Sequence, residues 1–426
     1  MLKRIASTFI TKILSGIINL VIAVLISNWI GAEGKGVQGL YLTTLTLSIT
    51  ALSILGLMPL TYLYPRKPSL NYYLIVYIWS VFSSLALYVF LRLVPLVNDD
   101  YVVYIVFTSF ISSLVSNNLS IFIIKEKIVF YNLALFSQPL SHIAFIFGFY
   151  WVKGSFSVEY YIYALLFSYV VLLCFSLKGF FQLFKEKLST DYSLIWKDFF
   201  NMLRYGLLHQ SATIIQLISF RGAYFILDYF SSTSEVGVYS NAISITESIW
   251  IISKSLSLVF YSRMINTKKA FHKSVFQNFI FASFWLQGLA FLFLALIPSS
   301  FYIYLFGHEF EELKYLILIL LPSSLIFGQS IIIEFYFASI GKHHVNLITS
   351  FMGMFIIIAL SIWLTPHLSA YGTAIATNIG YVCILIIQNH HIKSNLETSI
   401  YQPIFSRAAF VNNYNLLKNA LKNTPV

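Results

Sequence analysis

Four charged side chains lie deep inside apolar stretches in the second half of the chain: Arg221, Glu247, Lys254 and Glu334. A charge near the centre of a bilayer costs about 2.5–3.5 kcal/mol on insertion scales. A chain keeps such groups where they pair with one another, face a water-filled cavity or bind a charged ligand. These four side chains are therefore the first candidates for function.

The spacing of Glu247 and Lys254 predicts a relation between them. The two residues are seven positions apart, so an unbroken helix places both on one face, two turns apart. Glu247 near mid-depth can bind and release H⁺ or Na⁺, or it can neutralise Lys254 or Arg221. Glu334 is the other candidate partner for Lys254. The sequence leaves ion coupling and structural pairing open for both acids.

Uncharged polar side chains also recur within the apolar stretches. An interhelical hydrogen bond of this kind contributes about 0.6 kcal/mol on average, so packing is the favoured role for any single one. Their number nevertheless predicts a hydrated cavity, whose donors and acceptors suit a sugar. The candidate cavity residues are Asn19, Asn117, His142, Gln210 and Gln216.

The composition predicts an all-α membrane protein. Hydrophobic residues make up 58% of the 426 residues and charged residues 10%, which is typical of a polytopic membrane protein. The apolar runs are unbroken rather than alternating, so they are helices and not barrel strands. Twelve spans are predicted, near residues 8–30, 38–63, 72–97, 101–124, 130–152, 157–184, 202–228, 236–261, 276–305, 313–338, 345–365 and 369–391.

The basic residues predict the orientation of these spans. With the N-terminus in the cytoplasm, 21 of the 27 Lys and Arg residues fall on the cytoplasmic side. Lys35, Arg92, Lys153 and Lys314 fall on the outer side, and Arg221 and Lys254 lie within spans. The positive-inside rule then places both termini in the cytoplasm, with the first apolar stretch as an uncleaved helix. This distribution explains the net charge of +11 without a nucleic-acid partner.

The longest internal polar segment, about 185–201, separates six spans from six. We therefore predict a six-helix lobe at 1–190, a second at 191–392 and a cytoplasmic tail at 393–426. Because six is even, the two lobes enter the membrane in the same orientation, a repeat pattern of secondary transporters.

Motifs for cofactors and metals are missing from the sequence. Gly31, Gly34 and Gly36 have the wrong spacing for a dinucleotide or phosphate loop, so we expect a tight turn between helices there. The adjacent pairs His343–His344 and His390–His391 do not share a helix face and are poor chelators. No cofactor, metal site or catalytic residue is predicted, and coupling to H⁺ or Na⁺ is left open.

Three stretches together resemble a known family. They are Ile30-Gly31-Ala32-Glu33-Gly34-Lys35-Gly36; Arg204-Tyr205-Gly206 through Glu235–Ala242 to Glu247; and Gly341-Lys342, Pro366 and Gly372–Thr377. Their order and spacing are similar to those of the polysaccharide exporters of the multidrug/oligosaccharidyl-lipid/polysaccharide (MOP) superfamily. The resemblance is strongest to O-antigen and capsule repeat-unit flippases of the Wzx type, and it covers nearly the whole chain.

The resemblance implies two six-helix lobes around a central cavity that work by alternating access. It implies a polyprenyl-pyrophosphate-linked oligosaccharide as substrate, moved from the inner to the outer leaflet of the bacterial cytoplasmic membrane. Membrane lipid and other glycan-assembly membrane proteins are the implied partners. Arg221, Lys254 and Lys12 would bind the anionic part of the substrate. Relatives often carry an acid two positions after the arginine, where this chain has Ala223.

Two other classes of protein fit part of the pattern. A cation-coupled small-molecule exporter of the same superfamily would use Glu247 or Glu334 for its ion. A glycan polymerase or ligase has similar size and hydrophobicity, but such enzymes usually have a sizeable basic outer loop that this sequence lacks. The sequence therefore favours a secondary-type transporter over an enzyme.

Overall fold

The computed structural model describes residues 2–184, 192–266 and 269–405, and within these ranges it contains helices and no strand. The helices are α1 (Leu2–Leu52), α2 (Leu57–Leu63), α3 (Leu70–Leu93), α4 (Asp99–Ile124), α5 (Ile128–Lys153), α6 (Val158–Phe184), α7 (Ile195–Phe230), α8 (Thr233–Glu247), α9 (Trp250–Asn266), α10 (His272–Leu296), α11 (Ser299–Phe306), α12 (Leu313–Ser339), α13 (His343–Leu396) and α14 (Tyr401–Phe405). The predicted all-α class is confirmed.

Nine segments of the described chain are long and apolar enough to cross a membrane. Two of them, Ile10–Leu63 and His343–Leu396, have 54 residues each. A straight helix of that length measures about 80 Å, far more than the roughly 30 Å of a bilayer core. Each contains one break, at Gly31 and at Ser369, and so supplies two crossings. With the more polar 36-residue helix α7, the described helices account for the twelve predicted spans.

The turn between the first two spans is shorter than expected. The backbone leaves the helical region only at Gly31, with φ 68°, a value that glycine adopts readily. Ala32 already begins the second part of α1, and its N–H donates to the Glu309 carboxylate at 2.5 Å, which satisfies the new helix start. Gly36 allows a close approach to the Thr233 backbone, because a Cβ at position 36 would lie 1.7 Å from the Thr233 carbonyl oxygen.

The eighth predicted span, 236–261, lies within an apolar segment, Thr233–Tyr261, that is long enough to cross a membrane. It divides into α8 and α9 at Ser248 and Ile249, whose N–H groups donate to carbonyls three rather than four residues back. The Ser248 hydroxyl bonds the Ile245 carbonyl at 2.6 Å, and such local bonds compete with the helix. The face shared by Glu247 and Lys254 was inferred from an unbroken helix, and it stays a prediction.

The chain forms two compact units. Unit 1 comprises Met1–Leu217, Thr233–Gly237 and Leu305–Glu309, and unit 2 comprises Ile218–Ser232, Val238–Tyr304 and Phe310–Val426. This division falls inside α7. The lobe boundary placed at residue 190 concerns membrane lobes rather than compact units, and it stays a prediction.

Each unit has its own core. In unit 1, α1, α4, α5 and α6 pack around the fully buried Ile26, Ile105 and Ile162. In unit 2, α12 lies at the centre, in contact with α9, α10 and α13. These packed cores hold the polar groups described next in fixed positions.

Candidate functional site

Unit 1 contains a cavity of about 460 Å³ built by α1, α2, α4, α5, α6 and α7. Its polar lining consists of Thr50, Ser53, Ser112, Ser113, Ser116, Tyr131, Gln138, Tyr169, Gln210 and Thr213, and the rest is aliphatic. None of the lining residues carries a formal charge. Hydroxyl groups both donate and accept hydrogen bonds, and amides do the same through separate atoms. The cavity can therefore bind a neutral polar group from several sides.

Gln210 was predicted as a cavity residue, and the structure shows what positions it. Its Nε2 donates to Ser53 Oγ at 2.7 Å and to the Ser53 carbonyl at 3.3 Å. Gly206 lies one turn earlier on the same face of α7, where a Cβ would come 1.8 Å from the Ile54 carbonyl oxygen. Glycine at 206 therefore lets α7 approach the Ser53–Leu55 turn closely enough for Gln210 to reach it.

Asn117 supports the cavity from behind. It is fully buried and donates to Ser80 Oγ at 3.2 Å. Ser80 Oγ lies 2.8 Å from Ser113 Oγ, and Ser113 lines the cavity. Asn117 thus positions one wall without lining it.

A stack of planar side chains lies beside the cavity, and sequence reasoning missed it. Met58 of α2 lines the cavity, and Tyr62 follows one turn later on the same face. The rings of Tyr62 and Tyr205 stack at 4.1 Å and 14°, and Arg66 Cζ lies 3.7 Å above the Tyr62 ring. The four-residue spacing of Tyr62 and Arg66 predicts that the two side chains meet on one helix face. The stacking of Tyr205 on Tyr62 depends on the fold and could not be predicted from the spacing.

In unit 2, Arg221 and Glu247 form a two-bond ion pair. Nη1 and Nη2 of Arg221 each lie 2.7 Å from one carboxylate oxygen of Glu247. The two side chains are 27% and 18% exposed, and Arg221 Cζ lies 5.5 Å from the Tyr224 ring centre. Of the two cations considered for Glu247, the structure pairs it with Arg221. Both charges are thereby compensated within the unit.

Lys254 and Glu334 lie near each other but form no ion pair within the described residues. Lys254 is exposed, and its Nζ lies 5.6 Å from the Trp250 ring centre. Glu334 is half-buried and within electrostatic range of Lys254.

The other predicted site residues are dispersed. Lys12 and Asn19 have exposed side chains on α1, and Gln216 is half-buried on α7; none of them lines the cavity of unit 1. His142 is 3% exposed and packs its ring 5.1 Å from that of Tyr161. Of the five polar candidates, the structure thus brings Gln210 into the cavity wall and Asn117 directly behind it.

Lys35 is the clearest departure from the sequence analysis. It was assigned to an outer loop, but it lies in the first turn of the second part of α1 and is 6% exposed. The turn at Gly31 is so short that residue 35 is already inside the packed helices. Among the described residues, no cluster of three or more His, Cys, Asp or Glu side chains could hold a metal ion.

The architecture matches solved transporters along nearly its whole length. It aligns with "Lipid II flippase MurJ, inward closed conformation" at a TM-score of 0.75 and 14% identity, covering 98% of this chain and 93% of that one. It aligns with an inward-facing multidrug resistance MATE family transporter of the MOP superfamily at a TM-score of 0.71 and 16% identity, covering 90% and 96%. The chain has the fold of the MOP transporters.

A third solved structure with this MOP fold is a transporter from Pyrococcus furiosus Vc1 (DSM3638), with a TM-score of 0.63 and 15% identity, covering 92% of this chain and 95% of that one. No protein-family model and no curated sequence matches the chain. At these identities the likeness establishes the fold. The structural neighbours are transporters, and the described helices are those of a multi-pass membrane protein.

Proposed function

We propose that the chain is a flippase that moves a polyprenyl-pyrophosphate-linked oligosaccharide, such as an O-antigen or capsule repeat unit, from the inner to the outer leaflet of the bacterial cytoplasmic membrane. It works as a secondary transporter by alternating access and catalyses no covalent reaction. The observation that carries the proposal is the cavity of unit 1, which contains no formal charge and places ten hydroxyl and amide side chains among aliphatic ones. The MOP fold, which a lipid II flippase also has, supports it.

The chemistry of the cavity suits a glycan in transit. Its volume of about 460 Å³ lies in the usual range for small-molecule sites, about 300–1,000 Å³. Neutral hydrogen bonds contribute only about 0.5–1.5 kcal/mol each, so several of them select a sugar without trapping it. A transported group must leave as readily as it enters, and fixed charges would oppose that.

The pyrophosphate of the substrate requires a cation, and Arg66 is well placed to supply it. In the described residues Arg66 has no carboxylate partner, and its guanidinium stacks on Tyr62 beside the cavity. A guanidinium binds phosphate oxygens in pairs. The positive-inside assignment places this stack on the cytoplasmic side, where the substrate is made. Arg221, Lys254 and Lys12 remain proposed contacts for later stages.

Coupling to H⁺ or Na⁺ is part of the proposal and involves Glu247 or Glu334. Glu247 already accepts two bonds from Arg221, so an ion can bind it only when that pair opens. Glu334 has no ion-pair partner in the described chain, so it can bind an ion without a pair opening first. Other membrane proteins of glycan assembly are proposed to deliver the substrate and receive it.

The second candidate is a cation-coupled exporter of small molecules, favoured by the likeness to the multidrug MATE transporter. The two functions differ in cargo. A flippase moves a lipid-linked glycan between leaflets and leaves it in the membrane, whereas an exporter moves a soluble molecule across.

Flipping in proteoliposomes tests the proposal. A polyprenyl-pyrophosphate-linked oligosaccharide with a fluorescent sugar is incorporated, and its arrival in the far leaflet is followed with a membrane-impermeant quencher. We expect flipping by the wild-type protein and at least tenfold slower flipping by Gln210→Leu. The matched control is Gln277→Leu in unit 2, which removes a similar amide-to-hydroxyl bond, to Thr398 Oγ1 at 2.9 Å. Efflux of a cationic dye without any glycan flipping would instead establish the exporter.

A further inference from the structure

Gln210 presents an acceptor to the unit 1 cavity, because its donors are already used. Its Nε2 donates to Ser53 Oγ at 2.7 Å and to the Ser53 carbonyl at 3.3 Å. The Ser53 hydroxyl donates in turn to the Thr50 carbonyl at 2.8 Å, so Ser53 Oγ can only accept from the amide. Both contacts require the nitrogen of Gln210 to face Ser53. Oε1 is therefore the end of this amide that a ligand in the cavity can reach.

Gln138 of α5, which also lines the cavity, is oriented in the same way. Its Nε2 donates to Ser168 Oγ at 3.0 Å. The hydroxyl of the fully buried Ser168 donates to the Leu165 carbonyl at 2.6 Å, so it can only accept from the amide. Two serines whose protons are committed to the backbone thus fix both glutamine amides with their nitrogens turned toward the protein.

Two hydroxyl groups of the cavity wall have also used their protons. The Thr50 hydroxyl donates to the Thr46 carbonyl at 2.8 Å. Ser113 Oγ lies 2.8 Å from Ser80 Oγ, and the Ser80 hydroxyl donates to the Val76 carbonyl at 2.7 Å, so Ser113 is the donor between the two serines. Thr50 and Ser113 can therefore only accept from a ligand.

The wall consequently favours a ligand that donates hydrogen bonds. Gln210, Thr50 and Ser113 have acceptor oxygens and no proton left to give, and Gln138 has an oxygen and one further N–H. An ionised carboxylate only accepts hydrogen bonds, and burying it without a cation is strongly unfavourable. No lining residue carries a positive charge. The hydroxyl and amide N–H groups of neutral sugars are donors without charge, and they match this wall.

We propose that the sugar bound in the unit 1 cavity is uncharged, that its hydroxyl or amide N–H groups donate to the oxygens of Gln138 and Gln210, and that carboxylated sugars are excluded. The inference rests on the proposed flipping of a lipid-linked glycan and adds the charge class of that glycan. The pyrophosphate lies outside this restriction, because Arg66 stacks beside the cavity and is not part of its wall. Repeat units of neutral hexoses or N-acetylated sugars fit the cavity, and uronic acids do not.

Flipping of matched substrates in proteoliposomes tests this selectivity. Two polyprenyl-pyrophosphate-linked oligosaccharides carry the same fluorescent group, one built of glucose and the other of glucuronate. We expect the full-length wild-type protein to flip the glucose form at least roughly tenfold faster, because the carboxylate loses its hydration without gaining a charged partner. The methyl ester of the glucuronate form removes the charge and keeps the carbonyl group, and it should be flipped at a rate close to that of the glucose form.

Substitutions at Gln138 should move the selectivity in opposite directions. Gln138→Lys places a cation in the wall and should raise the ratio of glucuronate to glucose flipping at least roughly fivefold, whereas Gln138→Glu should lower it. The ratio is measured within each variant, so a smaller amount of folded protein cancels. Gln277→Lys is the control in unit 2 and should leave the ratio unchanged.

The outcomes separate this inference from the function on which it rests. Equal flipping of the glucose and glucuronate forms by the wild-type protein overturns the charge selectivity and leaves the flippase standing. A glucuronate-to-glucose ratio that neither Gln138→Lys nor Gln138→Glu changes overturns the role of the cavity wall. If none of the three lipid-linked glycans is flipped, the proposed function itself fails.

Discussion

Three buried or half-buried cations, two in unit 2 and one in unit 1, have different kinds of partner. In unit 2, Arg221 is held by both oxygens of Glu247, and Lys314 is held by helix carbonyls. In unit 1, Lys35 has only a neutral amide, and a cavity lined by uncharged donors and acceptors lies within the packed helices. Whether a charge inside an apolar stretch is compensated therefore depends on the partners that the fold supplies.

This difference assigns different tasks to the two units. A fully compensated pair such as Arg221 and Glu247 stabilises one arrangement of its helices and leaves little free charge for a ligand. We infer that the cavity of unit 1 binds ligands and that the closed pair in unit 2 stabilises the present arrangement of its helices.

Breaking the pair in unit 2 should give the largest effect. Glu247→Gln leaves Arg221 without its counter-charge, and breaking a buried pair this way costs about 3–5 kcal/mol. With the pair 27% and 18% exposed, we expect the lower end of that range, seen as a lower Tm in detergent. Arg221→Met combined with Glu247→Leu should restore most of the loss. Lys254→Gln is the control and should change the Tm little; equal losses in the control and in Glu247→Gln would contradict the comparison.

The next effect concerns the packing that positions Gln210. Gly206→Ala puts a Cβ where the Ile54 carbonyl oxygen lies, at 1.8 Å, so α7 must move away. Overpacking of this kind costs about 1–3 kcal/mol, and flipping should fall because Gln210 no longer reaches Ser53. Gly148→Ala is the matched control, since nothing lies within 4 Å of its new Cβ. That control should be neutral or slightly stabilising. Normal stability of Gly206→Ala would contradict the claim that close packing at position 206 positions Gln210.

The smallest effect is on substrate capture at the aromatic stack. Arg66→Gln removes the cation above Tyr62, and loss of a charged hydrogen bond worth about 1.5–3 kcal/mol should raise the apparent KM for flipping at least tenfold. The maximal rate should be unchanged, because the cavity is intact. Lys127→Gln removes an equal charge from an exposed side chain of unit 1 and should leave KM near the wild-type value. A similar rise in both variants would mean that general surface charge, rather than the stack, attracts the substrate.

The sequence was sufficient for much of this picture where the signal is local. Apolar length predicted the twelve spans, and Gly31 was correctly expected in the first turn between helices. Gln210 was selected as a polar residue in an apolar span, and it lies in the cavity wall. Arg221 was one of two cations considered for Glu247.

What the sequence could not supply depends on contacts between distant segments. Lys35 was assigned to a loop because hydropathy does not show that the chain turns on one residue. The break at Ser248 and Ile249 contains no glycine or proline, so the sequence predicted an unbroken helix there. The stacking of Tyr62 on Tyr205 joins α2 to α7, which no local pattern reveals.

Occupancy of the unit 1 cavity by the glycan can be measured directly by substrate protection. In a background with Cys174→Ser and Cys383→Ser, Ser116→Cys places a thiol in the cavity wall, and Ser394→Cys places one on an exposed surface at the end of α13. Both are labelled with a maleimide in proteoliposomes, with and without a polyprenyl-pyrophosphate-linked oligosaccharide. We predict that the lipid-linked glycan slows labelling at position 116 at least fivefold and leaves position 394 unchanged. Equal labelling of position 116 with and without the glycan would contradict the claim that unit 1 binds it.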